Sequence, residues 1–129
     1  MTATIELLPA DQVDFKAFTA TLNTAYEDYF VPLNMSVDEL RTRVLQDDIR
    51  LDLSCAARVG EQLVGLARVA RRGERGWIGG VGVVPSHRGQ GIGRRIMDYV
   101  LKAARQDGIA VVELEVITLN TTAKALYDS

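Results

Sequence analysis

Apolar side chains recur at the spacing of an α-helix in three segments of the chain. The second of these segments follows a capping-box pattern formed by Ser36 and Glu39. The third has the strongest amphipathic pattern and ends before Gly108, a residue type that favours the end of a helix. The first segment, from Ala10 to Tyr26, has its apolar positions at Val13, Ala17, Phe18, Leu22 and Ala25. The third has them at Ile92, Ile96, Met97, Val100, Leu101 and Ala104.

Several runs of β-branched and apolar residues, separated by turns, predict strands. They cover Thr4–Leu8, Leu51–Val59, Leu63–Val69, Trp77–Val84 and Ile109–Ile117. A last helix is predicted from Asn120 through Tyr127. Antiparallel hairpins combined with a strand–helix–strand crossover predict an α/β fold of the α+β type. In that fold, helices flank a mixed and mostly antiparallel sheet.

Composition narrows the class of protein. With 129 residues, 47% hydrophobic and 25% charged, the chain predicts a single globular domain over residues 1–129. A net charge of -2 argues against nucleic acid or an anionic membrane as partner. A single cysteine argues against a disulfide framework, and no metal is expected. The first residues do not resemble a signal peptide, and no apolar run reaches the roughly 18 residues of a membrane span. We therefore expect a cytoplasmic domain.

The most informative segment is a glycine-rich loop, SHRGQGIG, between a predicted strand and the third helix. Glycines let backbone amides approach a ligand closely, and a helix N-terminus carries positive partial charge. Arg88, Arg94 and Arg95 add cations beside it. The loop therefore predicts a site for a phosphate or pyrophosphate. The structural alternative is a glycine-rich connection that leads into a solvated basic helix.

Two common phosphate motifs do not fit this loop. A P-loop requires Lys followed by Ser or Thr, and neither dipeptide occurs in the chain. A dinucleotide fingerprint requires a third glycine, whose position here is taken by Arg94 or, in the other register, by Ile96. A nucleotide of the NAD type is thus the weaker alternative.

The loop resembles motif A of the GNAT superfamily of N-acetyltransferases. The resemblance rests on Arg88, Gly91 and Gly93 in the pattern Arg-x-x-Gly-x-Gly, preceded by Val83-Val84-Pro85. A second stretch, NTTAKALY, resembles motif B of the same family, with its matching residues at Asn120, Ala123, Leu126 and Tyr127.

The resemblance implies acetyl-CoA as co-substrate, with its pyrophosphate on the loop amides and its pantetheine arm along the strand that ends at Val84. A backbone N–H near Val83 would polarise the thioester carbonyl. Tyr127 would donate a proton to the leaving thiolate, unless it is simply a core aromatic, and Asn120 has the alternative role of a plain helix N-cap. The implied cofactor-binding residues are Val83, Val84, Arg88, Gly89, Gln90, Gly91, Ile92, Gly93, Arg94 and Asn120.

The predicted reaction also needs a base that removes a proton from the acceptor amine, and the sequence offers two carboxylates for this role. Glu113 and Glu115 lie two apart on a predicted strand, so they share one face of the sheet. Glu115 is the candidate because it is nearer to Asn120. The alternative is that one or both carboxylates reach solvent or pair with an arginine. Cys55 lies in an apolar strand and is not expected to be a nucleophile.

The predicted function is transfer of acetyl from acetyl-CoA to a primary amine of a small molecule or peptide by direct attack. The alternative is a CoA-binding module without transfer activity. Domains of the family usually continue past the tyrosine with two more strands, whereas this chain stops at Ser129. We therefore expect the usual C-terminal strands to be missing. The chain would be a fragment or the N-terminal part of a longer or tandem-domain member, or a partner chain in a homodimer would supply the strands.

Overall fold

The computed structural model describes residues 4–28 and 34–114. Glu115, Asn120 and Tyr127, together with the last predicted helix, lie outside these residues. The described elements are β1 Ile5–Pro9, α1 Phe15–Ala25, α2 Val37–Gln46, β2 Cys55–Val59, β3 Gln62–Arg72, β4 Arg75–Val83, α3 Ile92–Gln106 and β5 Val111–Leu114.

The strands form one sheet in the order β1-β2-β3-β4-β5. Neighbouring strands from β1 to β4 are antiparallel, and β5 pairs with β4 in parallel. The parallel pair needs a crossover, and α3 supplies it. The prediction of a mixed and mostly antiparallel sheet flanked by helices is confirmed.

One face of the sheet is covered by α3, and we call it the α3 face. Five of the six apolar positions of the α3 stripe are buried, and Leu101 is partly buried against the same core. Ile96 packs directly on β3, because a Cβ built on Gly65 would lie only 2.8 Å from its Cδ1 atom. The core on this face also contains Cys55, Val69 and Ile78. This helix therefore fixes where the chain that enters it at Ile92 must run.

The opposite face, which we call the α1/α2 face, carries a smaller core formed by α1, Leu40 of α2 and single residues of β2 and β3. The capping box at Ser36 and Glu39 is present, with the Glu39 N–H donating to the Ser36 hydroxyl at 3.0 Å. Only Leu40 of α2 is buried. The outer part of α2 consequently leaves the edge of this face open.

Several element boundaries differ from the sequence prediction, and β3 and β4 are both longer at their shared turn than predicted. The first helix begins at Phe15 rather than near Ala10, because the Asp14 carboxylate caps it at the Ala17 N–H (2.9 Å) and residues 10–12 form a separate 3₁₀ turn. β2 begins at Cys55 rather than Leu51, because residues 51–54 form a turn.

In that turn the Ser54 hydroxyl donates to the Arg50 carbonyl and accepts the Val69 N–H, each at 2.8 Å. β5 begins at Val111 rather than Ile109. Ile109 instead packs over Gly76, where a built Cβ would lie 3.0 Å from its side chain. Among the described residues, no helix is long and apolar enough to cross a membrane.

Candidate functional site

The centre of β4 is interrupted by a β-bulge at Gly80. Leu66 pairs with Gly82 and Arg68 with Gly79, so two residues of β4 stand opposite the single residue Ala67 of β3. Gly80 has φ +66°, a left-handed conformation that side chains strongly disfavour. In the sequence, Gly79, Gly80 and Gly82 predict a bulge or the close approach of a ligand, and the bulge is present.

The two valines at the end of β4 have different backbone environments. The Val84 N–H donates to the Val64 carbonyl at 2.9 Å. Because alternate residues of a strand bond to opposite neighbours, the Val83 N–H points away from β3. The Val83 carbonyl shows the same direction, since it accepts a hydrogen bond from Arg88 Nε at 2.9 Å. The backbone group suited to contact a ligand is therefore that of Val83.

The loop after β4 turns the chain sharply into α3. Residues Pro85–His87 form a 3₁₀ turn, and Gly89 and Gly91 both adopt left-handed conformations with φ +78° and +79°. Cβ atoms built on these two glycines would meet nothing within 4 Å, so their outer sides are open. The positive φ values explain why glycine stands at both positions. The open sides leave the backbone accessible.

Gly91 is the N-cap of α3, and no side chain caps the helix there. The first amides of a helix lack acceptors within the helix, and they present positive partial charge. Ile92 and Gly93 are buried and anchor this turn, whereas Gln90, Arg94 and Arg95 are exposed around it. The predicted loop residues are thus together at one helix N-terminus, and this arrangement suits a phosphate.

Arg88 differs from the other loop residues because its side chain reaches back to α1. Its Nη2 atom donates to the Ala25 carbonyl at 2.8 Å and to Asp28 Oδ1 at 3.0 Å. The hydrogen bonds from Arg88 lower the pKa of the Asp28 carboxyl below its usual range. Together with the bond to Val83, these contacts show that Arg88 ties the loop to β4 and α1. Asp28, an exposed acid in a turn, gave no signal of this role in the sequence.

The predicted carboxylate pair is described only at Glu113, which stands opposite Trp77 in the parallel register. Glu113 accepts a hydrogen bond from Trp77 Nε1 at 3.0 Å and forms an ion pair with Arg75. It therefore takes the alternative predicted for it, a pair with an arginine. Glu115, Tyr127 and Asn120 lie outside the described residues.

The buried Cys55 thiol is unsuited to nucleophilic chemistry. Burial raises its pKa to about 12, so it stays protonated at neutral pH. Among the described residues there is also no group of three or more His, Cys, Asp and Glu side chains that could hold a metal ion.

The comparison with protein families identifies the class to which this chain belongs. The profile described as "Acetyltransferase (GNAT) family" matches residues 18–129. The match covers both the glycine loop and the segment with Asn120 and Tyr127. The chain therefore belongs to the GNAT acetyltransferase family, as its motifs predict.

Among individual proteins, N-alpha-acetyltransferase RimI of Mycobacterium tuberculosis is 43% identical over 77 residues, which is 57% of this chain and 47% of that protein. The matched region thus spans about half the length of this curated relative. The fold resembles that of the ribosomal-protein-S18-alanine N-acetyltransferase of Escherichia coli, with a TM-score of 0.77, 18% identity and coverage of 97% of this chain and 75% of that chain. It also resembles diaminobutyrate acetyltransferase EctA of Paenibacillus lautus, solved with L-2,4-diaminobutyric acid and coenzyme A. Here the TM-score is 0.72 at 19% identity, over 98% of this chain and 74% of that chain.

Proposed function

We propose that this protein is an N-acetyltransferase that moves acetyl from acetyl-CoA to a primary amine. The observation that carries the proposal is the N-terminus of α3. Two left-handed glycines lie there at the start of a helix that no side chain caps, directly after a strand that carries a bulge. Family membership supports the same donor. The co-substrate would supply an acetyl group already activated as a thioester.

The residues of the loop fit a pyrophosphate in three respects. The amides from Gly89 to Gly93 are oriented by the start of α3, and the open sides of Gly89 and Gly91 leave room for a ligand at the backbone. Arg94 is exposed in the first turn of the helix and adds positive charge there, whereas Arg95 donates to the Ile5 carbonyl of β1 at 3.5 Å. Arg88 also holds the loop against Val83 and Asp28, and its direct contact with the ligand stays a prediction.

The chemistry would take place beside the bulge of β4. We propose that the Val83 N–H donates a hydrogen bond to the carbonyl that is attacked, because it points away from β3. Glu115 is proposed as the base that removes a proton from the acceptor amine, and Tyr127 as the acid that protonates the leaving thiolate. Asn120 is proposed to bind the co-substrate. These three assignments rest on the motifs and on the family match.

The first test is a calorimetric titration with acetyl-CoA, with NAD as the comparison ligand. We expect binding of acetyl-CoA that Gly91→Glu abolishes, because a carboxylate would stand where the pyrophosphate is expected and would repel it. Gly60→Glu is the matched control. It also adds a glutamate at a left-handed glycine, φ +61°, with nothing within 4 Å, but in the turn after β2. Equal affinity of the wild type and the Gly91 variant would contradict the loop assignment.

The second test concerns Tyr127. Tyr127→Phe keeps the aromatic ring and removes the hydroxyl, so we expect transfer to fall by a factor on the order of 10² or more while acetyl-CoA affinity stays unchanged. The measurement is the release of free CoA stimulated by amines, corrected for hydrolysis. Parallel losses of turnover and affinity would indicate that Tyr127 only packs. CoA binding without any amine-dependent release in the wild type would favour the binding module instead.

The acceptor, the oligomeric state and the location of the protein stay predictions of the sequence. The relatives show the range of acceptors that the fold serves. One is named an N-alpha-acetyltransferase, and another was solved with a diamino acid. A primary amine is common to these substrates, and for this chain we propose no more than that class from the site itself.

A further inference from the structure

Arg68 lies directly beneath the bulge of β4, on the α1/α2 face. A Cβ built on Gly80 would lie 2.7 Å from its Nη2 atom and 2.8 Å from its Nε atom. The guanidinium therefore packs against the Cα of Gly80, the residue whose left-handed conformation makes the bulge. This contact places a fixed positive charge beside the strand along which the acetyl donor is proposed to lie.

The guanidinium of Arg68 has no partner among the residues that the structure describes. Its Nε atom is buried and makes no hydrogen bond, and no ion pair with the side chain occurs in the described part of the chain. A buried donor without an acceptor costs free energy, about 1–3 kcal/mol in typical cases and more when it is charged. The arrangement therefore calls for an acceptor that the described residues do not provide.

The neighbouring charges do not meet this need, because they already have partners. Asp47 lies 3.8 Å from Arg43, and Asp48 accepts a hydrogen bond from Arg72 Nε at 2.9 Å. Glu113 is held by Trp77 and by an ion pair with Arg75. Among the described residues around the cavity, each of these carboxylates is thus paired with another arginine, and the positive charge of Arg68 is left without a balancing negative charge.

A cavity of about 400 Å³ opens at this point between α2 and the sheet, within the size range of sites for small ligands. Its lining is mostly polar and includes Gly79, the residue before the bulge. The charged and polar side chains that line it are Arg43, Gln46, Asp47, Arg68, Arg72 and Trp77. A group bound in this cavity would lie next to the bulge from the side opposite α3.

We propose that Arg68 binds a carboxylate of the acceptor, so that this enzyme prefers amines that carry a carboxylate over amines that do not. The proposal rests on the proposed function. A carboxylate is planar and matches the fork of a guanidinium, and a single negative charge balances the single surplus charge in the cavity. The carboxylate belongs either to an acidic side chain of a peptide or to the α-carboxyl group of a small amino acid.

Two matched pairs of acceptors test this preference and distinguish the two sources. Alanyl-glutamate amide and alanyl-glutamine amide differ by one side-chain carboxylate. L-2,4-Diaminobutyrate and its carboxamide differ by the α-carboxylate of a small diamine. We expect kcat/KM of the wild-type enzyme to be at least about tenfold higher for the acid of one pair, mainly through KM, and the pair that responds identifies the source.

Arg68→Gln should remove this preference: we expect kcat/KM for the acid of the responding pair to fall at least about tenfold further than kcat/KM for its neutral amide. Arg58→Gln is the matched control, since it makes the same change at an arginine of β2 that pairs with Glu6 of β1. An equal loss for acids and amides in Arg68→Gln would overturn the proposal, because the contribution of Arg68 would then not depend on the carboxylate of the acceptor. A wild type that prefers neither member of either pair would also overturn it.

A binding readout separates failure of this inference from failure of the proposed function. The Arg68 Nε–H resonance, assigned by its absence in Arg68→Gln, is followed in two-dimensional NMR spectra while the acids or amides are added. We expect a saturable shift with one acid and none with its amide. Absence of any shift overturns the inference even if no acceptor is acetylated. A shift without turnover supports the inference and counts against the transferase proposal.

Discussion

The two faces of the sheet are built from the same strands, yet they differ in what they hold. On the α3 face the inward side chains are apolar and buried, and α3 covers them over its whole length. On the α1/α2 face, apolar packing is confined to the part under α1 and Leu40, and beyond it Arg68 borders an open polar cavity. One sheet is thus closely packed on one side and leaves space for a ligand on the other.

The two faces meet at the bulge of β4, where the alternation of a strand gives neighbouring residues opposite surroundings. Ile78 and Val81 point into the α3 core, whereas Gly79 opens onto the cavity. A helix fixed by the core presents its N-terminus at the end of the same strand. The proposed donor site therefore rests on the packed face, and the proposed acceptor contact lies on the open one.

The largest expected effect on stability comes from removing a buried side chain from the α3 face. Ile96→Ala should lower the free energy of unfolding by about 2–5 kcal/mol, because the side chain is fully buried against Gly65 and its loss leaves a cavity. Leu45→Ala is the control on α2. Leu45 is 78% exposed, so its change should stay within about 0.5 kcal/mol. Chemical denaturation measures both. Equal effects of the two substitutions would contradict the close packing of Ile96 on the α3 face.

The order of the elements and the α3 stripe were predictable from sequence because their signals are local. Helical periodicity, the capping box at Ser36 and the glycines around Gly91 each act within a few residues. The start of the first helix was not predicted correctly, since apolar periodicity continues through Val13 whereas the Asp14 cap decides where the helix begins. The start of β2 was not predicted because Ser54 makes its contacts with a distant strand.

The site was predictable only in part for the same reason. The loop glycines could be found from their spacing and from the resemblance to the family. The link from Arg88 to Asp28 joins residues 60 positions apart, and no local pattern announces it. The surroundings of Arg68 depend on the bulge register and on the position of α2, so no local pattern in the sequence distinguishes this arginine from the others.

The next expected effect comes from the bulge that both faces share. Gly80→Ala should lower the free energy of unfolding by roughly 2 kcal/mol, because alanine at a left-handed position is strained by about 1–2 kcal/mol and its Cβ would also displace the guanidinium of Arg68. Gly73→Ala carries the same strain at φ +62° with nothing within 4 Å, so it measures the strain alone. A smaller loss for Gly80 than for Gly73 would contradict the close contact with Arg68.

The smallest expected effect is on the free energy of unfolding when Arg68, on the open face, is replaced by an apolar residue. Arg68→Met keeps an unbranched side chain that can pack beneath Gly80, and it removes a buried donor that has no partner among the described residues. We therefore expect the free energy of unfolding to stay the same or rise by about 1 kcal/mol in the absence of acceptor. Arg58→Met on β2 is the control. It breaks an ion pair with Glu6 in which both side chains are partly exposed, so the free energy of unfolding should stay the same or fall by less than about 1 kcal/mol.

Chemical denaturation of both variants beside the wild type supplies the comparison. A clear loss of stability in Arg68→Met, larger than that of the control, would mean that the guanidinium stabilises the fold itself. Its N–H donors would then not be available to an acceptor carboxylate. An unchanged or higher stability would mean that Arg68 is kept for something other than the fold.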